Sequence, residues 1–128
     1  MKANYKLAIA LLAGAGIGAL ATQGLRAQTK PIAYVIAEID VTNPDAYAKD
    51  YAPLAQKALR DGGAKYLALA GKTTALDGPP PKSRVTLSSY ENIDKAQPAF
   101  NSPAYREARK IGDKYAKFRI FAVEGTPQ

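Results

Sequence analysis

Ile32-Ala33-Tyr34-Val35-Ile36-Ala37-Glu38-Ile39-Asp40-Val41-Thr42-Asn43-Pro44 decides how this chain folds. Its first ten residues alternate as a strand does. Val35, Ala37, Ile39 and Val41 fall on one face, and Tyr34, Ile36, Glu38 and Asp40 on the other. The run stops at Thr42-Asn43-Pro44. Asn43 is placed to cap a helix, and Pro44 to fill its first turn, where no amide hydrogen is needed.

Working outward, Tyr47, Tyr51, Leu54, Ala55, Ala58 and Leu59 recur at helical spacing and form the apolar stripe of that helix. Pro53 is expected to kink it and Gly62-Gly63 to end it. Strands are expected over residues 65–70 and 84–90. The connection between them carries Pro79, Pro80 and Pro81 and reads as a stiff loop rather than a recognition ligand. Asn92 caps a short helix with Ile93, Ala96 and Phe100 inward, distorted by Pro98. Ser102-Pro103 restarts a helix whose stripe reads Ala104, Ala108, Ile111 and Tyr115. Alternation returns over residues 117–124, and the last four residues read as a frayed tail.

The order is therefore β-α-β-β-α-β with the second helix broken in two, the ferredoxin-like α+β arrangement. Strands one and three are central in its antiparallel sheet, and the helices share one face. A single copy leaves the other face bare. The expected remedy is a homodimer packed sheet to sheet, a dimeric α/β-barrel.

Ahead of this domain, Lys2 and Lys6 precede an uncharged apolar stretch over residues 7–21, and small residues lead to Ala27. That is the build of a secretory signal peptide over residues 1–27, cleaved after Ala27 or, alternatively, after Ala21. A retained anchor is the rival reading, but Gly14, Gly16 and Gly18 interrupt the stretch. A periplasmic or secreted domain spanning residues 28–128 is expected, free of the membrane after cleavage.

Composition excludes more than it assigns. Beyond Ala27 stand all 11 acidic and 15 of the 18 basic residues, a net +4 with the signs interspersed. No basic stripe lies beside exposed aromatics, so no nucleic-acid partner is expected. The chain has no Cys and no His. Thiol nucleophiles, Ser-His-Asp and Cys-His arrangements and nearly all zinc sites are thereby excluded. There is no dinucleotide fingerprint and no P-loop, and neither a cofactor nor a metal is expected. Any catalysis would fall to carboxylates, Tyr, Lys or Arg.

Strand parity nominates a ligand-binding cluster. Tyr34, Glu38 and Asp40 are expected on the face away from the helices. The same rule puts Arg84, Thr86 and Ser88 of strand three and Arg119, Phe121 and Val123 of strand four on that face. Arg84 and Arg119 would then approach Glu38 and Asp40. As a pocket floor, Arg would hold a carboxylate or phenolate, Glu38 would serve as acid or base, and Tyr34 or Tyr66 would stack on an aromatic ligand. As a structural feature, the same groups would be an ion-pair network sealing a dimer interface. Tyr47 and Tyr51, one helical turn apart, would line a pocket mouth or, more simply, fill the core.

The run of residues 33–47, then Tyr51-Ala52-Pro53, Gly62-Gly63-Ala64-Lys65-Tyr66, Pro80-Pro81-Lys82-Ser83-Arg84, Asn101-Ser102-Pro103-Ala104-Tyr105 and Val123-Glu124-Gly125 resembles domain-of-unknown-function family 1330. The resemblance spans nearly the whole domain. It implies a dimeric α/β-barrel of ferredoxin-like type and no established reaction. This chain departs from the family pattern at Ser89, where an acid is usual, at Ala99, where Trp is frequent, and at Gly112, a basic position. Three functions stay open: binding of a small, partly apolar or anionic ligand; a cofactor-independent oxygenase or isomerase-like enzyme; and an envelope or stress protein acting through protein contacts.

Overall fold

A computed structural model describes residues 30–127; the expected signal peptide lies outside the described residues. Strand β1 (Ala33–Val41) leads into a three-part helical arm: α1 (Pro44–Ala46), a π-helical turn (Tyr47–Tyr51) and α2 (Ala52–Asp61). The chain continues through β2 (Lys65–Leu69), β3 (Arg84–Tyr90), α3 (Ile93–Phe100), α4 (Pro103–Gly112) and β4 (Ala116–Glu124). The sheet order is β2-β3-β1-β4, and every neighbouring pair is antiparallel. This is the ferredoxin-like order, with β1 and β3 central.

The helix ends follow from their caps. Asn43 Oδ1 accepts from the Ala46 amide at 3.2 Å, Asn92 Oδ1 from the Lys95 amide at 3.1 Å, and Ser102 Oγ from the Tyr105 amide at 3.2 Å. Each satisfies an amide that the first turn leaves unpaired. Gly62 closes α2, and Gly63 turns the chain at φ +108°, a region that favours glycine.

Pro53 does not simply bend the arm. It has no amide hydrogen to give the preceding turn, and the helix widens there: the Ala52 amide reaches back five residues to the Tyr47 carbonyl. The extra residue rotates the stripe. Tyr47, Tyr51, Ala52, Ala55 and Ala58 are buried, while Leu54 is 51% exposed, against expectation. In α4 the buried stripe is Tyr105, Ala108 and Gly112, and Ala104 faces solvent. The core is thus built from tyrosine rings set among alanines. Ala33, Val35, Ala37 and Ile39 of β1 form its floor under the helices.

Registers fix the faces of the sheet, because directly paired residues point the same way. On β4, Arg119 pairs with Glu38 and Phe121 with Ile36, which puts them on the open face as expected. β3 is reversed. Val85 pairs with Glu38 and Leu87 with Ile36, whereas Arg84, Thr86 and Ser88 pair with Ile39, Ala37 and Val35. Arg84, Thr86 and Ser88 therefore lie beneath the helices, and the expected meeting of Arg84 with Glu38 and Asp40 does not occur.

Candidate functional site

Two separate constellations emerge where one was expected. On the open face, an Arg119 Nη1 donates to Glu38 Oε2 at 2.7 Å, and the Arg119 guanidinium also sits 4.9 Å from the centre of the Phe121 ring. The Arg119 side chain is 71% exposed and that of Glu38 23%. Asp40 pairs across the strands with Lys117. Tyr34 stands near the other end of β1, where the chain after β4 crosses it: the Gly125 amide donates to the Ile32 carbonyl at 2.7 Å. A Cβ on Gly125 would sit 2.8 Å from the Tyr34 ring. Tyr34 is thus held by the chain's own tail, four residues away from Glu38.

The second constellation is a cavity of about 50 Å³ between the helices and the sheet. Its floor carries Val35, Ala37 and Ile39 from β1 and Arg84, Thr86 and Ser88 from β3. Tyr47, Tyr51 and Ala55 roof it, and Phe100 and Tyr105 close one end. Tyr66 and Leu69 enter from β2 by a specific device. Tyr66 pairs with Ser88, but Ala68 pairs with Leu87, so Leu67 is an extra residue, a β-bulge. The bulge sends both Tyr66 and Leu69 to the cavity face, which three-residue spacing in a regular strand forbids.

Arg84 is the only charged side chain in this lining. Its guanidinium lies 5.1 Å from the centre of the Tyr47 ring, a cation–π contact. Among the described residues no acid is paired with it. Arg60 covers the Tyr66 ring from outside at 5.0 Å. Tyr47 and Tyr51 are in tilted contact at 5.0 Å, and Phe100 meets Tyr105 edge-on at 5.0 Å. Burial holds the phenols of Tyr47, Tyr51 and Tyr66 above the ordinary tyrosine range; Arg84 partly offsets this at Tyr47, and Arg60 at Tyr66. These hydroxyls are neutral donors at any physiological pH. Arg84 supplies a permanent positive charge.

Of the candidate residues, Arg84 and Tyr66 therefore line the cavity, Glu38 and Arg119 form a partly exposed ion pair, and Asp40 and Tyr34 belong to neither pairing. Tyr47 and Tyr51 are both core and cavity wall. Sequence reasoning missed Tyr105 as a cavity residue, although it lies three residues before Ala108 and seven before Gly112, at helical spacing. A wider groove of about 460 Å³ runs outside along α3, α4 and β4. Its arginine, Arg109, is already held by Asp113 at 2.9 Å and stacked on Phe118 at 3.8 Å, so the inner cavity is the better candidate. Among the described residues no group of acids could hold a metal ion, and no helix is long and apolar enough to cross a membrane.

The sheet order, the broken second helix and the cavity between the layers define an α+β protein of ferredoxin-like type. Residues 32–126 match the family described as domain of unknown function (DUF1330), and the chain belongs to that family. A protein of unknown function from Rhodopseudomonas palustris superposes with a TM-score of 0.59 at 18% identity, covering 82% of this chain and 94% of that one. A Nitrosomonas europaea protein provisionally named an antibiotic biosynthesis monooxygenase gives 0.51 at 13% identity, covering 75% and 91%. A Bacteroides thetaiotaomicron protein of unknown function, provisionally named an oxidoreductase, gives 0.50 at 10% identity, covering 75% and 99%. These likenesses show a shared fold. No curated protein matches the chain.

Proposed function

We propose that this protein is an exported homodimer that binds a small, partly apolar ligand by its anionic end, inside the cavity between helices and sheet. One observation carries the reading: Arg84 is set among aromatic rings and hydroxyls with no acid paired to it among the described residues. A guanidinium so placed is a ready partner for a carboxylate. The aromatic walls suit an apolar remainder.

The homodimer rests on the open face. Ile36, Val85 and Leu87 lie beside Phe121, 41% exposed, and Val123, 50% exposed. A contiguous apolar face of this kind marks an interaction surface, and a second copy would cover it symmetrically. Export rests on the build of residues 1–27.

An enzymatic reading draws on the phenols around Arg84, which could stabilise an enolate or phenolate, and on the provisional names of the two fold neighbours. It has lost the acid or base expected of it. Glu38 and Asp40 face away from the cavity, and no carboxylate lines it. Binding without turnover is therefore the better reading. Action through protein contacts alone would leave the cavity and its arginine without a role.

Native mass spectrometry of the purified protein, followed by calorimetric titration with butanoate and with uncharged 1-butanol, tests both parts. A dimer that binds butanoate and ignores 1-butanol, with binding lost in Arg84→Gln, is the expected result. A monomer would refute the dimer, and equal affinity for the acid and the alcohol would refute the anion site.

A further inference from the structure

The inner cavity and the outer groove share a wall: Val35, Phe100, Tyr105 and Ile120 line both. Val35 and Tyr105 are each 3% exposed, whereas Phe100 and Ile120 are half-buried. Ile120 is fixed in the sheet by its pairing with Ala37. Phe100 is the last residue of α3, in a turn where Pro98 has no amide hydrogen to give. The Asn101 amide that closes this turn is shared between the Gln97 and Pro98 carbonyls, at 3.2 Å each. The Phe100 ring rests edge-on against Tyr105 at 5.0 Å and tilted against Tyr90 at 6.2 Å. It is the part of the wall that can give way. The two hollows differ in chemistry. The cavity holds Arg84, with no acid paired to it among the described residues. The groove is walled by Ile93, Ala96 and Ala122 beside the amides of Gln97 and Asn101, and its one arginine, Arg109, is taken up by Asp113 and Phe118.

We propose that cavity and groove are two parts of one site for a straight-chain monocarboxylic acid of roughly six to ten carbons, with its carboxylate on Arg84 and its tail passing the Phe100 ring into the groove. Volume divides the ligand between them. A six-atom molecule takes about 150 Å³, and the cavity offers about 50 Å³, enough for the head alone. Octanoate takes about 250 Å³ at the same density, and the groove adds about 460 Å³. Charge divides it the same way: an unpaired cation at one end, and apolar walls with their arginine already engaged at the other. Phe100 is then the specificity-determining residue, because the tail crosses only where its ring yields. The inference rests on the anion-site reading and extends the site beyond the cavity.

The test compares butanoate with octanoate by calorimetric titration on the wild type, on Ala122→Phe, which fills the groove, and on Arg84→Gln. Octanoate is expected to bind the wild type at least about tenfold more tightly than butanoate, because its added methylenes leave water. Ala122→Phe should remove that advantage and leave butanoate unchanged, and Arg84→Gln should weaken both acids. Equal binding of the two acids to the wild type overturns the inference and leaves the anion site standing. An advantage that survives Ala122→Phe overturns it too, because the tail then lies elsewhere. Octanoate bound equally by Arg84→Gln, or neither acid bound by the wild type, overturns the anion site and this inference together. Should Ala122→Phe fail to fold, nuclear Overhauser contacts in the wild type decide. Contacts from the terminal methyl of bound octanoate to the methyls of Ala122 or Ile93 support the inference, and their absence overturns it.

Discussion

The guanidinium of Arg84 lies over the ring of Tyr47, 5.1 Å from its centre, on the side of the sheet opposite Glu38. One strand residue and one residue of the π-helical turn thus meet across the cavity. The contact spreads the positive charge over an aromatic face without neutralising it, and among the described residues no acid is paired with Arg84. The π-helical turn matters here because it keeps Tyr47 and Tyr51 both buried before the arm continues as α2.

Glu38 and Arg119 can be removed without touching the cavity. Their ion pair is largely open to water on the Arg119 side, and such pairs contribute about 0–1 kcal/mol. In the single copy Glu38→Gln and Arg119→Gln should each lower stability by no more than about 1 kcal/mol and leave butanoate affinity unchanged, and in the proposed dimer, which would cover the pair, each should also weaken self-association. Denaturant melts and calorimetry check both halves, and weaker butanoate binding in either variant would reconnect the two faces.

Gly112→Ala should destabilise the protein, although the same change within a helix ordinarily stabilises by about 1 kcal/mol. A Cβ at this position would stand 2.6 Å from the Tyr51 ring and 3.0 Å from Phe118. Both rings are packed, and overpacking costs about 1–3 kcal/mol. A thermal melt decides; a higher melting temperature would show that the rings yield freely.

Ala70→Gly should stabilise it. Ala70 follows β2 at φ +57°, and its amide donates a hydrogen bond to the Val85 carbonyl at 3.1 Å. A left-handed backbone costs a residue with a Cβ about 1–2 kcal/mol. Glycine removes that strain but adds freedom to the unfolded chain, for a net gain of about 0.5–1 kcal/mol. Urea midpoints of the two proteins measure it.

Alkaline pH should unfold the protein through its phenols. Burial raises the pKa of Tyr47, Tyr51, Tyr66 and Tyr90, four of the eight tyrosines. The unfolded chain releases these protons near pH 10 while the folded chain keeps them, so stability is fully present below about pH 10 and falls as pH rises beyond it. Tyrosinate absorbance and circular dichroism should then change together for these four. Smooth ionisation of every tyrosine with the fold intact would contradict the burial.

Most of the fold was legible because its punctuation is local. Asn43-Pro44, Asn92, Ser102-Pro103 and Gly62-Gly63 each act through their own backbone, and all stand where the sequence put them. The site was less legible because β3 breaks the simplest rule of burial. Thr86 and Ser88 are buried under the helices while Val85 and Leu87 point to the open face. Hydrophobic alternation alone reads this backwards. Only Tyr90, buried and in phase with Ser88, marks the true parity. The inner face tolerates hydroxyls because it borders a cavity, and the outer face gathers apolar groups that a single copy leaves uncovered. Leu54 and Ala104 misled for another reason: a widened helical turn and a shift of one residue in α4 change which side of a helix faces inward.

Leu67 gives the bulge in β2 a consequence for how the family can diverge. β2 is an edge strand that runs into the long connection of residues 70–83, so a residue gained or lost there disturbs one neighbour only. Such an insertion or deletion would exchange Tyr66 or Leu69 for a neighbour of opposite facing. The caps, the tyrosine–alanine core and the sheet order would stay as they are. Ligand preference can therefore drift by changes of length at one edge while the scaffold is inherited intact.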